Sequence, residues 1–413
     1  MRTVTSASRT GPRHAAGFWA VSYAFLVVMA FSAIPTPLYA LYRARDGFSS
    51  LTITLIFSAY AVGVVTSLFL AGHLSDRHGR RRWMVPAILL NIVSAAIFLT
   101  WSALPGLLLA RFVGGLGVGI ITATATAWIG ELHAASRPGA TPRRAQTVAT
   151  AANLGGLGLG PLVGGVLSQW VGGPLTTPYV VALVALVVAL VAVLASPETR
   201  DAVRPALPYR PQSIAVPADA RTTFAAAALA AFIAFAALGL FTSLAPSFIA
   251  GTLHHASRAL AGTAAFLVFT AAALAQTAAA ARSVRALLSL GIAGMVAGPL
   301  LLILSVWLSS PSLGVFLVGG VVTGAGVGLL FKGAIATVVG VATEDRRAEA
   351  LAGVFLAGYL GISAPVVGLG LITQWLSAST SLTIFAGLLV AGALVAARPL
   401  VGHRTERREP VPA

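Results

Sequence analysis

Apolar residues run along this chain in long blocks, without the two-residue alternation that a barrel strand shows. A membrane helix needs about 20 mostly apolar residues. Twelve blocks meet that length, at roughly 17–42, 51–72, 83–102, 104–131, 145–170, 176–196, 222–250, 259–281, 286–308, 312–342, 348–375 and 378–398. The pattern predicts an all-α integral membrane protein of twelve transmembrane helices. Pro35 and Pro37 are expected to bend the first of them.

The polar segments between the blocks alternate in charge. One side collects Arg2, Arg9, Arg13, Arg77, Arg80, Arg81, Arg82, Arg137, Arg143 and Arg144, then the linker arginines, Arg282, Arg285, Arg346, Arg347 and the tail after Arg398. The other side holds Arg43, Arg45 and Arg258. An excess of arginine marks the cytoplasmic side. Both termini are therefore expected in the cytoplasm, of a plasma (inner) membrane, and an even number of spans agrees. The longest connection, 197–221, is rich in Pro and Arg and divides the chain into six-helix bundles at 1–196 and 222–413. The halves echo each other. "FSAIPTPLYA" (31–40) aligns with "FTSLAPSFIA" (241–250), "GLGVGI" (115–120) with "GAGVGL" (324–329), and "GPLVGGVLSQW" (160–170) with "APVVGLGLITQW" (364–375). Three pairs in order at nearly one offset indicate a parallel repeat, which places the working site between the halves near the bilayer midplane.

Composition sharpens this picture. The chain is 57% hydrophobic and 9% charged, against about 25% charged in a soluble domain. Forty-three glycines suit close helix packing in lipid. The net charge of +16 raises the question of nucleic acid, but the arginines sit in short loop clusters rather than on one face, which is topology. There is no cysteine, so disulfides, thiolate metal sites and a cysteine nucleophile are excluded. The basic start leads into an apolar run too long for a signal peptide, so a retained first helix is expected.

Between the second and third spans stands "GHLSDRHGRRR" (72–82). This run resembles the signature of the major facilitator superfamily, with Gly72, Asp76, Arg77, Gly79, Arg80 and Arg81 matching, and the likeness covers essentially the whole chain. It implies two pseudo-symmetric six-helix bundles, no enzymatic activity and no cofactor, with the proton gradient as driving force. It further implies a cytoplasmic gate. Asp76 would meet the start of the eleventh helix, near Glu349, where a carboxylate gains from the helix dipole, and Arg80 would pair with Glu131 at the end of the fourth. The corresponding loop of the second half, 279–286, lacks the glycines and the aspartate, so a weaker latch is expected there.

Two further runs carry the resemblance. "ARFVGGLGVG" (110–119) is similar to the superfamily's arginine-then-glycine motif, and a buried Arg111 would face a wet cavity rather than lipid. "GLGLGPLVGG" (156–165) is similar to the motif of drug–proton antiporters, matching at Gly156, Gly160, Pro161, Gly164 and Gly165, with Thr147 where that motif has another glycine. A phosphate-loop reading of the glycines before Lys332, the chain's single lysine, fails because Phe331 and Gly333 occupy its defining positions.

In this fold helices 1, 4, 7 and 10 line the cavity. The candidate contacts are Tyr23, Tyr39, Arg111, Trp128, Asn153, Lys332 and Tyr359, with Lys332 facing the cavity, or else held by backbone carbonyls. No acid lies deep in the membrane, which argues against a purely cationic substrate. The expected function is a monomeric secondary transporter exporting a small amphiphilic molecule in exchange for protons. The alternatives are uptake of a small anionic nutrient and a facilitator-like sensor that moves nothing.

Overall fold

A computed structural model describes residues 10–71, 75–200, 220–343 and 346–401. Fifteen helices are described: α1 (Thr10–Ala33), α2 (Pro35–Asp46), α3 (Ser50–Ala71), α4 (Ser75–His78), α5 (Arg80–Thr100), α6 (Leu104–Ser136), α7 (Arg143–Trp170), α8 (Thr177–Leu194), α9 (Arg221–Ser243), α10 (Ala245–Gly251), α11 (Arg258–Ala278), α12 (Val284–Trp307), α13 (Leu313–Val341), α14 (Arg347–Ile372) and α15 (Ala378–Val401). Twelve spans among the described residues are long and apolar enough to cross a membrane, α1 and α2 forming one of them. Between its ends a helix satisfies its backbone polar groups internally, which is why a chain this apolar takes this form in lipid.

The predicted first span is continuous to about 42, but the helix breaks at Ile34. Pro35 has no N–H to donate, and the chain restarts with prolines at its first and third positions. The predicted seventh span breaks in the same way at Leu244, 210 residues later, ahead of Pro246. The two breaks thus obey the repeat that the sequence shows.

Packing follows the repeat as well. In the first half α1 packs on α6, α7 and α8, and α6 on α3 and α5. In the second, α9 packs on α13, α14 and α15, and α13 on α11 and α12. The halves meet chiefly through two helix pairs, α7 with α11 and α3 with α14, which exchange under the pseudo-twofold. We call the face where α1 begins and α15 ends the terminus side, and the opposite face the far side.

Candidate functional site

A cavity with about 140 Å³ of free volume lies between the halves at mid-depth. Eight spans line it. Besides the expected first, fourth, seventh and tenth, α3, α7, α11 and α14 contribute, through residues such as Tyr60, Asn153, Gln276 and Tyr359. Their glycines let neighbouring helices approach so closely that side chains from the second rank reach the centre.

Arg111 is the charged residue of the cavity wall and is 4% exposed. Its Nη1 donates to the carbonyl oxygen of Ser32, 2.5 Å away, on α1. The guanidinium lies over the Tyr60 ring, 4.5 Å from its centroid, and within 5.6 Å of the Phe57 centroid. These contacts fix its plane. Its Nε is buried without a hydrogen-bond partner. None of the ion pairs of the described residues includes Arg111. A buried charge without a counter-charge costs several kcal/mol.

The other cavity candidates separate into two groups. Asn153 and Tyr359 line the cavity with Arg111. Tyr23, Tyr39, Trp128 and Lys332 do not. Tyr23 is 38% exposed, and its hydroxyl reaches the Ala185 carbonyl of α8 at 3.5 Å, on the outer flank of the bundle. Tyr39 is buried beyond the helix break, on the far side of the cavity. Trp128 is fully buried in the core of the first half. Lys332 donates from Nζ to the carbonyl oxygen of Gln276 at 2.6 Å. That carbonyl belongs to the last turn of α11, where Ala280 N bonds Thr277 instead. Lys332 is thus a cap supplied by α13 to the negative end of α11. Its isolation in an apolar run has a structural cause.

The glycines of α7 serve two contacts. Gly156, Gly160 and Gly164 face α1: a Cβ on Gly160 would collide with the carbonyl oxygen of Ala30, and one on Gly164 would come within 2.7 Å of the Ile34 carbonyl, just before Pro35 and Pro37. Gly158, Pro161 and Gly165 face α11 in the other half, at Phe269, Gly262 and Arg258. This second stripe continues toward the terminus side through Leu154, Ala151 and Thr147 at three- and four-residue steps. There Ala151 and Thr147 are exposed. The two helices therefore touch on the far side and diverge on the terminus side. Among the described residues, two hydrogen bonds cross between the halves at the far-side seam: Thr36 Oγ1 to the Thr242 carbonyl (3.0 Å) and Arg258 N to Gln169 Oε1 (3.0 Å).

The signature loop sits on the terminus side. Gly72 lies outside the described residues. Asp76 and Arg77 belong to α4, and nothing is described of their side chains. Gly79 holds φ +99°, a conformation that glycine reaches without strain. Arg80, 3% exposed, pairs with Glu131: Nη2 donates to Oε1 at 2.7 Å and Nε to Oε2 at 3.2 Å. Both residues belong to the first half, so this pair does not itself bridge the two halves.

Sequence reasoning missed the third member of this clasp. The chain leaving α8, "SPETR" (196–200), folds back over the start of α5. The Glu198 carboxylate accepts from the backbone N–H of Arg80 and of Arg81, each at 2.9 Å. Four N–H groups at a helix start lack partners, and a carboxylate there also meets the positive dipole end. Thr199 Oγ1 and Arg200 Nε donate to Glu131 at 2.6 and 3.0 Å, and Arg81 Nη1 donates to the Leu194 carbonyl at 3.3 Å. The available signal was an acid, a hydroxyl and a base together, just beyond the sixth span. The start of α12 is capped instead by its own Ser283, whose hydroxyl accepts from Ala286 N.

Comparison with known proteins gives a consistent result. The Major Facilitator Superfamily model matches residues 21–226 and again 227–413. An arabinose-proton symporter of Bacillus subtilis is 35% identical over 77 residues, 19% of this chain and 17% of that protein. An MFS-type transporter of Methanocaldococcus jannaschii is 26% identical over 154 residues, 37% of this chain and 38% of that one. The chain therefore spans well under half the length of these curated relatives. Among solved structures, the nucleoside transporter NupG superposes with TM-score 0.72 at 12% identity, covering 93% of this chain and 99% of the other. The human organic anion transporter MFSD10 (TETRAN) gives 0.68 at 20% identity, again covering 93% and 99%.

Proposed function

The chain belongs to the major facilitator superfamily, and we therefore propose that it is a secondary transporter that moves a small amphiphilic molecule bearing an acidic or carbonyl group by alternating access. The observation that carries this reading is Arg111, buried in the cavity wall with a free Nε and no paired carboxylate among the described residues. An acidic group entering the cavity relieves that unpaired charge, while the aromatic and aliphatic walls take its apolar body. The likeness to an organic anion transporter accords with this charge preference at the level of fold.

Export is the proposed direction, on the partial resemblance of 156–165 to drug–proton antiporters, with the proton gradient as driving force and no cofactor or enzymatic step. The proposed setting is a plasma (inner) membrane with both termini in the cytoplasm, following the arginine distribution. In that orientation the described state is sealed towards the outside and divergent at its α7–α11 seam towards the cytoplasm. The proposed gate groups the Arg80–Glu131–Glu198 clasp and Asp76 on the cytoplasmic side, and Gln169, Arg258, Thr36 and Thr242 on the outer side. The cargo is a small molecule, the surroundings lipid, and the unit a monomer. A second reading, uptake of a small anion, is favoured equally by Arg111.

The test is transport by full-length protein in oriented proteoliposomes under an imposed pH gradient, over a panel of labelled acids, alcohols and amines of similar size. Acids should be carried and Arg111→Gln should lose them by at least tenfold while inserting normally. Preferred transport of amines, or unaltered acid transport in Arg111→Gln, would overturn the reading.

A further inference from the structure

Among the described residues, the cavity wall differs in chemistry between the halves, with its one charged residue on the first and most of its rings on the second. The first half supplies Arg111 together with Ser32, Thr36, Thr122, Thr150 and Asn153, and its two rings, Phe57 and Tyr60, lie against the Arg111 guanidinium. The second supplies Phe235, Phe269, Phe331, Phe355 and Tyr359, with Thr242 and Gln276 as its polar exceptions. Four of these rings form a chain: Phe235 lies 5.1 Å from Phe331 and 5.7 Å from Tyr359, and Phe331 lies 5.9 Å from Phe355, all between centroids. Their planes are inclined by 59°, 74° and 66°. No pair among them is stacked, so each ring keeps a face or edge for a guest. The packed core of the first half behaves differently. There Phe98 and Tyr179 stack at 4.6 Å with planes 7° apart.

Resting on the reading of an acidic substrate, we propose that the substrate class is the aryl carboxylates: one planar aromatic ring system carrying one carboxylate. The carboxylate meets Arg111 on the first half. The ring lies against the Tyr359–Phe235–Phe331–Phe355 chain on the second. Inclined rings receive a planar guest edge to face or offset, the arrangements that the ring quadrupole favours, whereas an aliphatic chain gains area burial alone. Because the charge contact and the ring contact belong to different halves, the guest bridges them. A molecule with one feature alone engages one half, and so lacks the means to draw the halves together around the cavity.

The experiment measures equilibrium binding to the purified full-length protein in detergent, with three probes: 2-naphthoate, hexanoate and 2-naphthalenemethanol. The wild type should bind 2-naphthoate about tenfold more tightly than either of the others, on the scale of one to three aromatic contacts. Phe331→Leu should remove most of the 2-naphthoate advantage over hexanoate. Arg111→Gln should remove the advantage over the alcohol while leaving the preference for an aromatic ring. Phe355→Leu is a second ring variant should Phe331→Leu unfold, and thermal unfolding in detergent checks each protein. If hexanoate and 2-naphthoate bind alike in the wild type, or if both ring variants keep the wild-type ratio, the aryl proposal falls while the acidic-substrate reading stands. If the alcohol binds as well as the acid, or no acid binds, the acidic-substrate reading falls and the aryl proposal with it.

Discussion

Glu131→Gln probes the terminus-side clasp. The wild-type carboxylate takes two hydrogen bonds from Arg80, one from Thr199 and one from Arg200. The substitution keeps the shape but removes the charge that pairs with Arg80, which is 3% exposed. Breaking a buried pair from one side costs about 3–5 kcal/mol. Glu131 is 24% exposed and Arg200 49% exposed, so water recovers part of that, and an exposed pair contributes about 0–1 kcal/mol. A loss of about 2–4 kcal/mol is the reasonable range. Glu198→Gln should destabilise the same clasp, since its carboxylate caps the helix whose first side chain is Arg80. The two changes share Arg80, so the double variant should lose at least 0.5 kcal/mol less than the sum of the single losses. The assay is reversible unfolding in mixed micelles, followed by circular dichroism, on the two single variants and the double. Strict additivity, or a Glu131→Gln protein as stable as the wild type, would refute the shared clasp.

Gly160→Leu places bulk against the Ala30 carbonyl, and overpacking of this kind costs about 1–3 kcal/mol; it should abolish transport in proteoliposomes, and full activity would show that the α1–α7 contact is dispensable. Lys332→Met should lower stability by about 1 kcal/mol through loss of the α11 cap, with substrate selectivity unchanged. A shift of selectivity towards neutral or cationic compounds would instead put the ammonium in the transport path. Gln169→Leu removes one of the two far-side hydrogen bonds, worth about 0.5–1.5 kcal/mol, and should raise the far-side-open population severalfold. Because the chain has no cysteine, spin labels on Trp170→Cys and His255→Cys can read that distance directly, and an unchanged distance distribution would contradict the prediction.

The architecture was legible in the sequence because lipid reduces the problem to one dimension. A span must be a helix about 20 residues long and apolar, so the twelve blocks announced themselves. The offsets of the repeat announced the pairing of halves, and even the helix breaks at Ile34 and Leu244 follow them. Arg111 was legible for the same reason, since a charge at that depth has few tolerable surroundings. What a residue faces around a helix was not legible. In a span apolar on every side, periodicity carries no mark of lipid, core or cavity. So Tyr23, a cavity candidate by sequence, lies on the outer flank, Trp128 fills the core, and Phe331, which the sequence marks only as excluding a phosphate loop, lines the cavity beside Lys332. The neighbours Phe331 and Lys332 point to different partners because successive helix positions are turned about 100° from each other, and the packing of α11 against α13 settles which partner each one meets. The same holds for Glu198: a carboxylate in a polar segment has no pattern to give it away, and it becomes a helix cap through the return of the chain, which brings residue 198 to residue 80 across 118 positions.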